Sequence, residues 1–159
     1  MRRWLAAGCV ALVAGCGAHA PTGDLTAKYQ EAGVTVSLLL HDGKLTATYR
    51  PDRPGFHLYS ADLPATGIDG LGRPTALKPG EGLTATGTAT ADQSPVTLHE
   101  TELDVDLPVY PDGPVTLTIP VTASGPRIEA VIGYAACSPT QCLMPVSDKT
   151  IPLSPASRA

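Results

Sequence analysis

Cys137 and Cys142 stand in the stretch YAACSPTQCLMPVSDKTIPL, residues 134–153, with four residues between them. Thiols so placed support three chemistries: a structural disulfide, half of a metal site, or a couple alternating between dithiol and disulfide. In a redox couple, one thiolate attacks a partner disulfide, a mixed disulfide forms, and the second thiol releases the product. A zinc site calls for four ligands and usually a second paired spacing. The sequence has no CxxC and no HxxxH, and only His19, His41, His57 and His99 could supplement the pair. No metal is expected, and no other cofactor.

The segment RIEAVIGYAA, residues 127–136, reads as a strand running into Ser138-Pro139-Thr140-Gln141, with the chain returning from Cys142. Residues flanking a short hairpin loop oppose one another, with Cα atoms about 4.5–5.5 Å apart, a separation a disulfide accepts. Pro139 suits the first corner of a turn. Closing so small a loop removes little unfolded-state entropy, about 2 kcal/mol. The spacing is therefore inefficient as a staple and reasonable as an accessible switch. Taken alone, it leaves both open.

The elements that must hold this hairpin read as strands. Apolar-alternating or β-branched runs occur at 34–40, 44–50, 56–60, 83–90, 96–105, 115–122, 127–136 and 149–153, punctuated by Gly, Pro and Asp. His41-Asp42-Gly43 between the first two is a hairpin signal. No stretch keeps a helical period over ten residues, and 16 prolines fit strands and turns better than helices. Short strands at this density predict an all-β, immunoglobulin-like antiparallel β-sandwich. Residues 61–82 are the longest irregular stretch, either an edge decoration or a loop containing a short strand.

The N-terminus bears on the compartment. MRRWLAAGCVALVAGCGAHA has two arginines, a short apolar run and small residues before Cys16, the pattern of a secretory signal and too short for a spanning helix. Val13-Ala14-Gly15-Cys16 looks like a bacterial lipobox, whose cysteine becomes the acylated first residue; Cys9 would leave too short an apolar run before it. The expected organisation is a signal at 1–15, a flexible tether at 16–28, one domain at 29–155 and a tail at 156–159. Loss of Arg2 and Arg3 leaves nine basic residues against 15 acidic ones, a net charge of −6. No basic patch remains, which argues against a nucleic-acid partner. In an oxidising exported compartment, Cys137 and Cys142 form a disulfide unless something keeps them reduced.

Tyr134-Ala135-Ala136-Cys137, then Cys142-Leu143-Met144-Pro145 and Lys149-Thr150-Ile151-Pro152-Leu153, resembles the cysteine segment of the N-terminal domain of the transmembrane thiol–disulfide reductase DsbD. That domain type also occurs in disulfide-corrector proteins. Pro54-Gly55-Phe56-His57-Leu58-Tyr59-Ser60 is similar to the family's Pro-Gly-Trp-His-Ile-Tyr block, and Thr118-Ile119-Pro120-Val121 to its Leu-Pro-Val strand. Together the blocks span roughly residues 29–155.

The resemblance implies an immunoglobulin-like sandwich acting as an electron carrier on the periplasmic side of the bacterial cell envelope. It implies that Cys142 forms mixed disulfides and Cys137 resolves them. Tyr59 and Tyr134 match family aromatics near the cysteines, where they either shape the thiol pocket or pack the core. His57 either raises thiolate character or is a strand residue without a direct role. The family covers its cysteines with an aromatic cap loop. The matching stretch here, Glu100 to Tyr110, holds no Phe and carries Glu100, Glu102, Asp104 and Asp106. Carboxylates near a thiol raise its pKa; in an edge strand, such charges instead discourage aggregation.

The sequence contains neither a polytopic segment nor a thioredoxin-like domain. The implied partners are therefore a separate transmembrane thiol–disulfide donor and thioredoxin-like or other disulfide-bearing clients, with membrane attachment through the lipid at Cys16. The competing expectation is a non-catalytic binding or assembly sandwich with an inert disulfide.

Overall fold

The computed structural model describes residues 23–156. Among these the chain forms fifteen strands and no helix. In chain order they are β1 (Leu25–Glu31), β2 (Val34–His41), β3 (Lys44–Pro51), β4 (His57–Tyr59), β5 (Ala76–Pro79), β6 (Leu83–Ala85), β7 (Thr90–Ala91) and β8 (Val96–Glu100). There follow β9 (Val105–Tyr110), β10 (Val115–Ala123), β11 (Glu129–Tyr134), β12 (Ala136–Ser138), β13 (Gln141–Cys142), β14 (Val146–Pro152) and β15 (Ser154–Pro155).

The first layer is the sheet β15-β1-β2-β3-β10-β6, with β7 also paired to β10. Its central strands alternate strictly. Val34, Val36, Leu38 and Leu40 on β2, and Val115, Leu117, Ile119 and Val121 on β10, are buried while the intervening positions are not. Each fully buried aliphatic side chain contributes about 1.5–3 kcal/mol, enough to lock the register that keeps this face inward. The β2–β3 connection is the two-residue turn Asp42-Gly43, both residues at positive φ. That is the type I′ geometry whose twist matches the flanking strands.

The second layer consists of β14-β11-β5 and β13-β12-β4-β9-β8. Its inner face meets the first layer in a cluster that includes Leu58, Leu77, Ala130, Ile132, Tyr134 and Ala136. Two tyrosines pin the layers reciprocally. Tyr49 on β3 donates to the Ala76 carbonyl at the start of β5, and Tyr134 on β11 donates to the Glu31 carbonyl at the end of β1. Their rings meet edge to face, with centroids 5.9 Å apart. Burial pushes both phenols well up from their ordinary pKa, so each remains a hydrogen-bond donor. The fold is the expected all-β, immunoglobulin-like sandwich.

Several elements depart from the sequence expectation. β1 begins at Leu25, inside the stretch read as tether, because Leu25, Ala27 and Tyr29 turn one face toward the core and β15 closes against it. The run 83–90 splits into β6 and β7, and Gly87, packed against Pro120, lies between them. The run 96–105 is not one strand. It turns at Thr101–Asp104, with Asp104 at φ 52°, and returns as β9. The expected signal peptide and the expected acylation at Cys16 fall outside the described residues. Among the described residues no helix is long and apolar enough to cross a membrane.

Candidate active site

A local irregularity delivers the cysteines to their place. β11 pairs with β14 up to Tyr134, with a register shift between Ile132 and Tyr134. Beyond Ala135 the same run leaves β14 and pairs as β12 with β4 and β13. A bulge of this kind re-aims the side chains that follow it. Tyr134 and Ala136 point into the main core, whereas Ala135 and Cys137 belong to a second apolar cluster with Tyr59, Leu63, Leu107 and Val109. The five-stranded sheet is thus buried on both faces around the site.

Cys137 and Cys142 are opposed directly across the β12–β13 ladder, as are Ser138 and Gln141, leaving Pro139-Thr140 as the turn. The Ser138 hydroxyl oxygen accepts the Gln141 N–H at 3.1 Å and steadies the corner. The cysteines form a disulfide with Cα atoms 4.1 Å apart. The two halves differ in access: Cys137 is 4% exposed, and Cys142 is exposed.

Two polar side chains of β4 face the bond. The Tyr59 hydroxyl donates to Cys137 Sγ at 3.2 Å in a buried contact. Burial, and secondarily the Glu100 charge, pushes the Tyr59 phenol up. His57 is the cross-strand partner of Cys137, and its ring stands edge-on to Tyr59 with centroids 5.5 Å apart. Its Nε2 is buried with no hydrogen-bond partner. Burial pulls the His57 pKa down, against the opposing charges of Asp112 and Glu100, so the ring is neutral at neutral pH. Of the two readings of His57, a charged group that raises thiolate character or a strand residue without a direct role, the first requires a charge that burial on β4 opposite Cys137 disfavours. It is a neutral neighbour there, not a cation.

The bond lies between two open cavities. One, of about 200 Å³, is walled by His57 and Tyr59 and by Leu98 to Thr101 at the end of β8. The other, of about 240 Å³, is walled by Gly70 to Arg73, Leu143 and Pro145. The second wall comes from the stretch that read as irregular. Ile68 and Leu71 exchange backbone hydrogen bonds around Asp69-Gly70, and with Leu63 they pack onto the Tyr59 cluster. Gly72 approaches so closely that a Cβ there would stand 2.8 Å from the Tyr59 ring and 2.9 Å from Leu63. The Arg73 guanidinium donates to the carbonyls of Thr66, Gly70 and Gly72 and holds this loop together. β5 follows, so residues 61–82 are a loop containing a short strand.

The structure separates the remaining candidates. Tyr134 is not at the cysteines; it is a fully buried core residue whose hydroxyl is spent on Glu31. It sits at odd spacing from Cys137, on the opposite face of the strand. In the stretch matched to the cap loop, Glu100 is the carboxylate that lines the cysteine cavity. Glu102, Asp104 and Asp106 are exposed, Asp106 holding the His99 imidazole at 2.9 Å. Residues 105–110 are strand β9 rather than a loop. Among the described residues, no group of three or more His, Cys, Asp or Glu side chains is arranged to hold a metal ion. Sequence reasoning missed the Gly70–Arg73 wall. The Asp69-Gly70 turn dipeptide between Ile68 and Leu71 was its available signal.

The class this architecture defines is an immunoglobulin-like β-sandwich with a hairpin disulfide on the outer face of its second layer. No family model matches the chain, and no curated protein matches it. Among solved structures the chain is similar to the N-terminal domain of Neisseria meningitidis DsbD in its reduced form, with a TM-score of 0.55 and 18% identity. The alignment covers 79% of this chain and 87% of that one. At this identity the likeness is one of fold.

Proposed function

We propose that this chain is an exported thiol–disulfide exchange protein that carries electrons through the Cys137–Cys142 pair. The observation that carries the reading is the unequal access to the bond: an exposed Cys142 joined to a buried Cys137 at the mouth of two cavities. A sulfur arriving from solvent reaches Cys142, so mixed disulfides form there and Cys137 is the resolving sulfur.

In the reductive direction, the Cys142 thiolate attacks a partner disulfide. One partner sulfur leaves as thiolate and takes a proton from water. Cys137, having lost its proton, then attacks Cys142 Sγ. The second partner sulfur leaves, the partner is reduced by two electrons, and the Cys137–Cys142 bond is restored. A separate transmembrane thiol–disulfide donor re-reduces the pair. The clients are thioredoxin-like or other disulfide-bearing proteins of the cell envelope. Acylation at Cys16 keeps the sandwich on the periplasmic side of a membrane, and the residues before β1 act as spacer. The fold shared with the DsbD domain supports this reading, as do the matching blocks around His57, Tyr59 and the cysteines.

The test is the reduction potential of the pair, measured by glutathione equilibration and thiol alkylation. A value above roughly −250 mV places it among exchange proteins. A value below about −300 mV marks an inert structural bond and removes the carrier reading.

A further inference from the structure

We propose that Tyr59 is a catalytic residue of the exchange, its hydroxyl being the fixed donor that stabilises the thiolate form of Cys137. The kinetic consequence rests on the exchange reading above; the thiolate itself can be examined without it.

Cys137 is the sulfur for which a charge is hardest to carry. It is 4% exposed and sits among Leu107, Val109 and Ala135. Yet exchange requires it to bear that charge. It attacks as a thiolate when a mixed disulfide at Cys142 is resolved. In the reverse step the S–S electron pair is left on it. A thiolate in an apolar cluster without a donor is strongly disfavoured. The Tyr59 hydroxyl already points at this sulfur from 3.2 Å.

The donor is also held in place. Its ring is clamped by His57 on one edge, and by Gly72 and Leu63 against its body. The backbone of Tyr59 is tied too: Thr75 donates to its carbonyl through both N–H and hydroxyl. Because burial holds the phenol above its ordinary pKa, it keeps its proton where thiols titrate. No other hydrogen bond to either cysteine sulfur is found among the described residues.

The size of the effect follows from general thiol chemistry. A charge-assisted hydrogen bond is stronger than a neutral one, and its loss raises a thiol pKa by about one unit or more. Tyr59→Phe therefore leaves about tenfold less Cys137 thiolate at neutral pH. Nucleophilicity rises with pKa along a Brønsted slope of about 0.4–0.5 and returns roughly threefold. Resolution of the mixed disulfide thus slows about threefold at neutral pH. Above the thiol pKa it becomes about threefold faster than in the parent.

The first measurement is a pH titration of thiolate absorbance in Cys142→Ser, with and without Tyr59→Phe. Phe keeps the ring and its contacts, and a melting curve for each variant verifies folding. The other ionisable groups lining the two cavities are His57, His99, Glu100 and Arg73. They are the same in both variants, so the difference belongs to the phenol. An upward shift of about one unit supports the proposal, and an unchanged titration overturns it whether or not the protein exchanges disulfides.

The second measurement follows resolution of a glutathione mixed disulfide at Cys142 across the alkaline range, in the parent and in Tyr59→Phe. Crossing profiles support the role. A uniform slowing at every pH means that Tyr59 only supports the pocket, and overturns it. A parent with an inert disulfide would sink the carrier reading instead, leaving the thiolate titration to decide on Tyr59.

Discussion

Reducing the Cys137–Cys142 bond should leave the sandwich folded. The cross-link joins residues separated by 5 in sequence. On the chain-entropy model a loop this short restricts the unfolded chain by about 2 kcal/mol. Domains of this size are stable by about 5–15 kcal/mol, so most of that stability survives reduction. The structure supplies the reason. The core cluster joining the two layers contains neither cysteine, and the two tyrosine pins lie away from the hairpin.

Reduction loosens β13 and the Pro139-Thr140 turn, while β12 remains paired with β4. The assay is urea unfolding followed by far-ultraviolet circular dichroism, with and without a phosphine reductant. A loss of about 2 kcal/mol is expected, with little change in the slope, and a melting temperature lower by about 8 °C. A loss above about 5 kcal/mol, or cooperative unfolding on reduction alone, would refute the reasoning. It would mean that the bond holds the second layer together and cannot cycle.

Two further predictions separate site from core. Tyr134→Phe removes a part-buried hydrogen bond to the Glu31 backbone carbonyl and should cost about 1 kcal/mol; the rate of disulfide reduction by dithiothreitol should stay that of the parent, and a change would return Tyr134 to the cysteine pocket. His57→Leu removes a buried, unpartnered Nε2 and should stabilise the fold by about 1 kcal/mol at pH 7.5. A folded-state pKa below the unfolded 6.5 means that the unfolded chain binds more protons between the two values. The His57 contribution is therefore full above about 6.5 and is lost as pH falls through that window. Denaturant titrations at pH 7.5 and 5.5 should show the parent losing more stability than His57→Leu, and equal losses would contradict the assignment.

The parts of the fold that were legible in the sequence are those where one face is wet. β2, β3 and β10 alternate because the first layer has solvent on one side, and Asp42-Gly43 announces its own turn. The second layer gave weaker signals for a physical reason. Around the cysteines its strands are buried on both faces, so Leu58-Tyr59, Val109-Tyr110 and Tyr134-Ala135-Ala136-Cys137 are runs without period. The run 127–136 therefore read as one strand, although the bulge before Tyr134 hands its end to a different partner. A bulge changes pairing without changing hydrophobicity, and periodicity cannot register it.

The same double burial is why the sequence left Tyr134 open between the thiol pocket and the core. Tyr59 and Tyr134 are both aromatic, and the sequence resemblance offered both as pocket or core residues near the cysteines. What separates them is parity. Counting alternate positions back from Cys137 along its strand puts Ala135 on the cysteine face and Tyr134 on the other. Across the ladder, Cys137 opposes His57, and Tyr59 lies two residues on, hence on the same face. Strand parity and register together sort the aromatics correctly. Register is a long-range pairing between β12 and β4, nearly eighty residues apart in sequence. The covering loop follows from the same geometry: a sheet with an apolar outer face must be roofed, and residues 61–74 are the roof. Its Gly72 is as much a part of the site as the sulfurs, because the Tyr59 ring occupies the space where a side chain would stand.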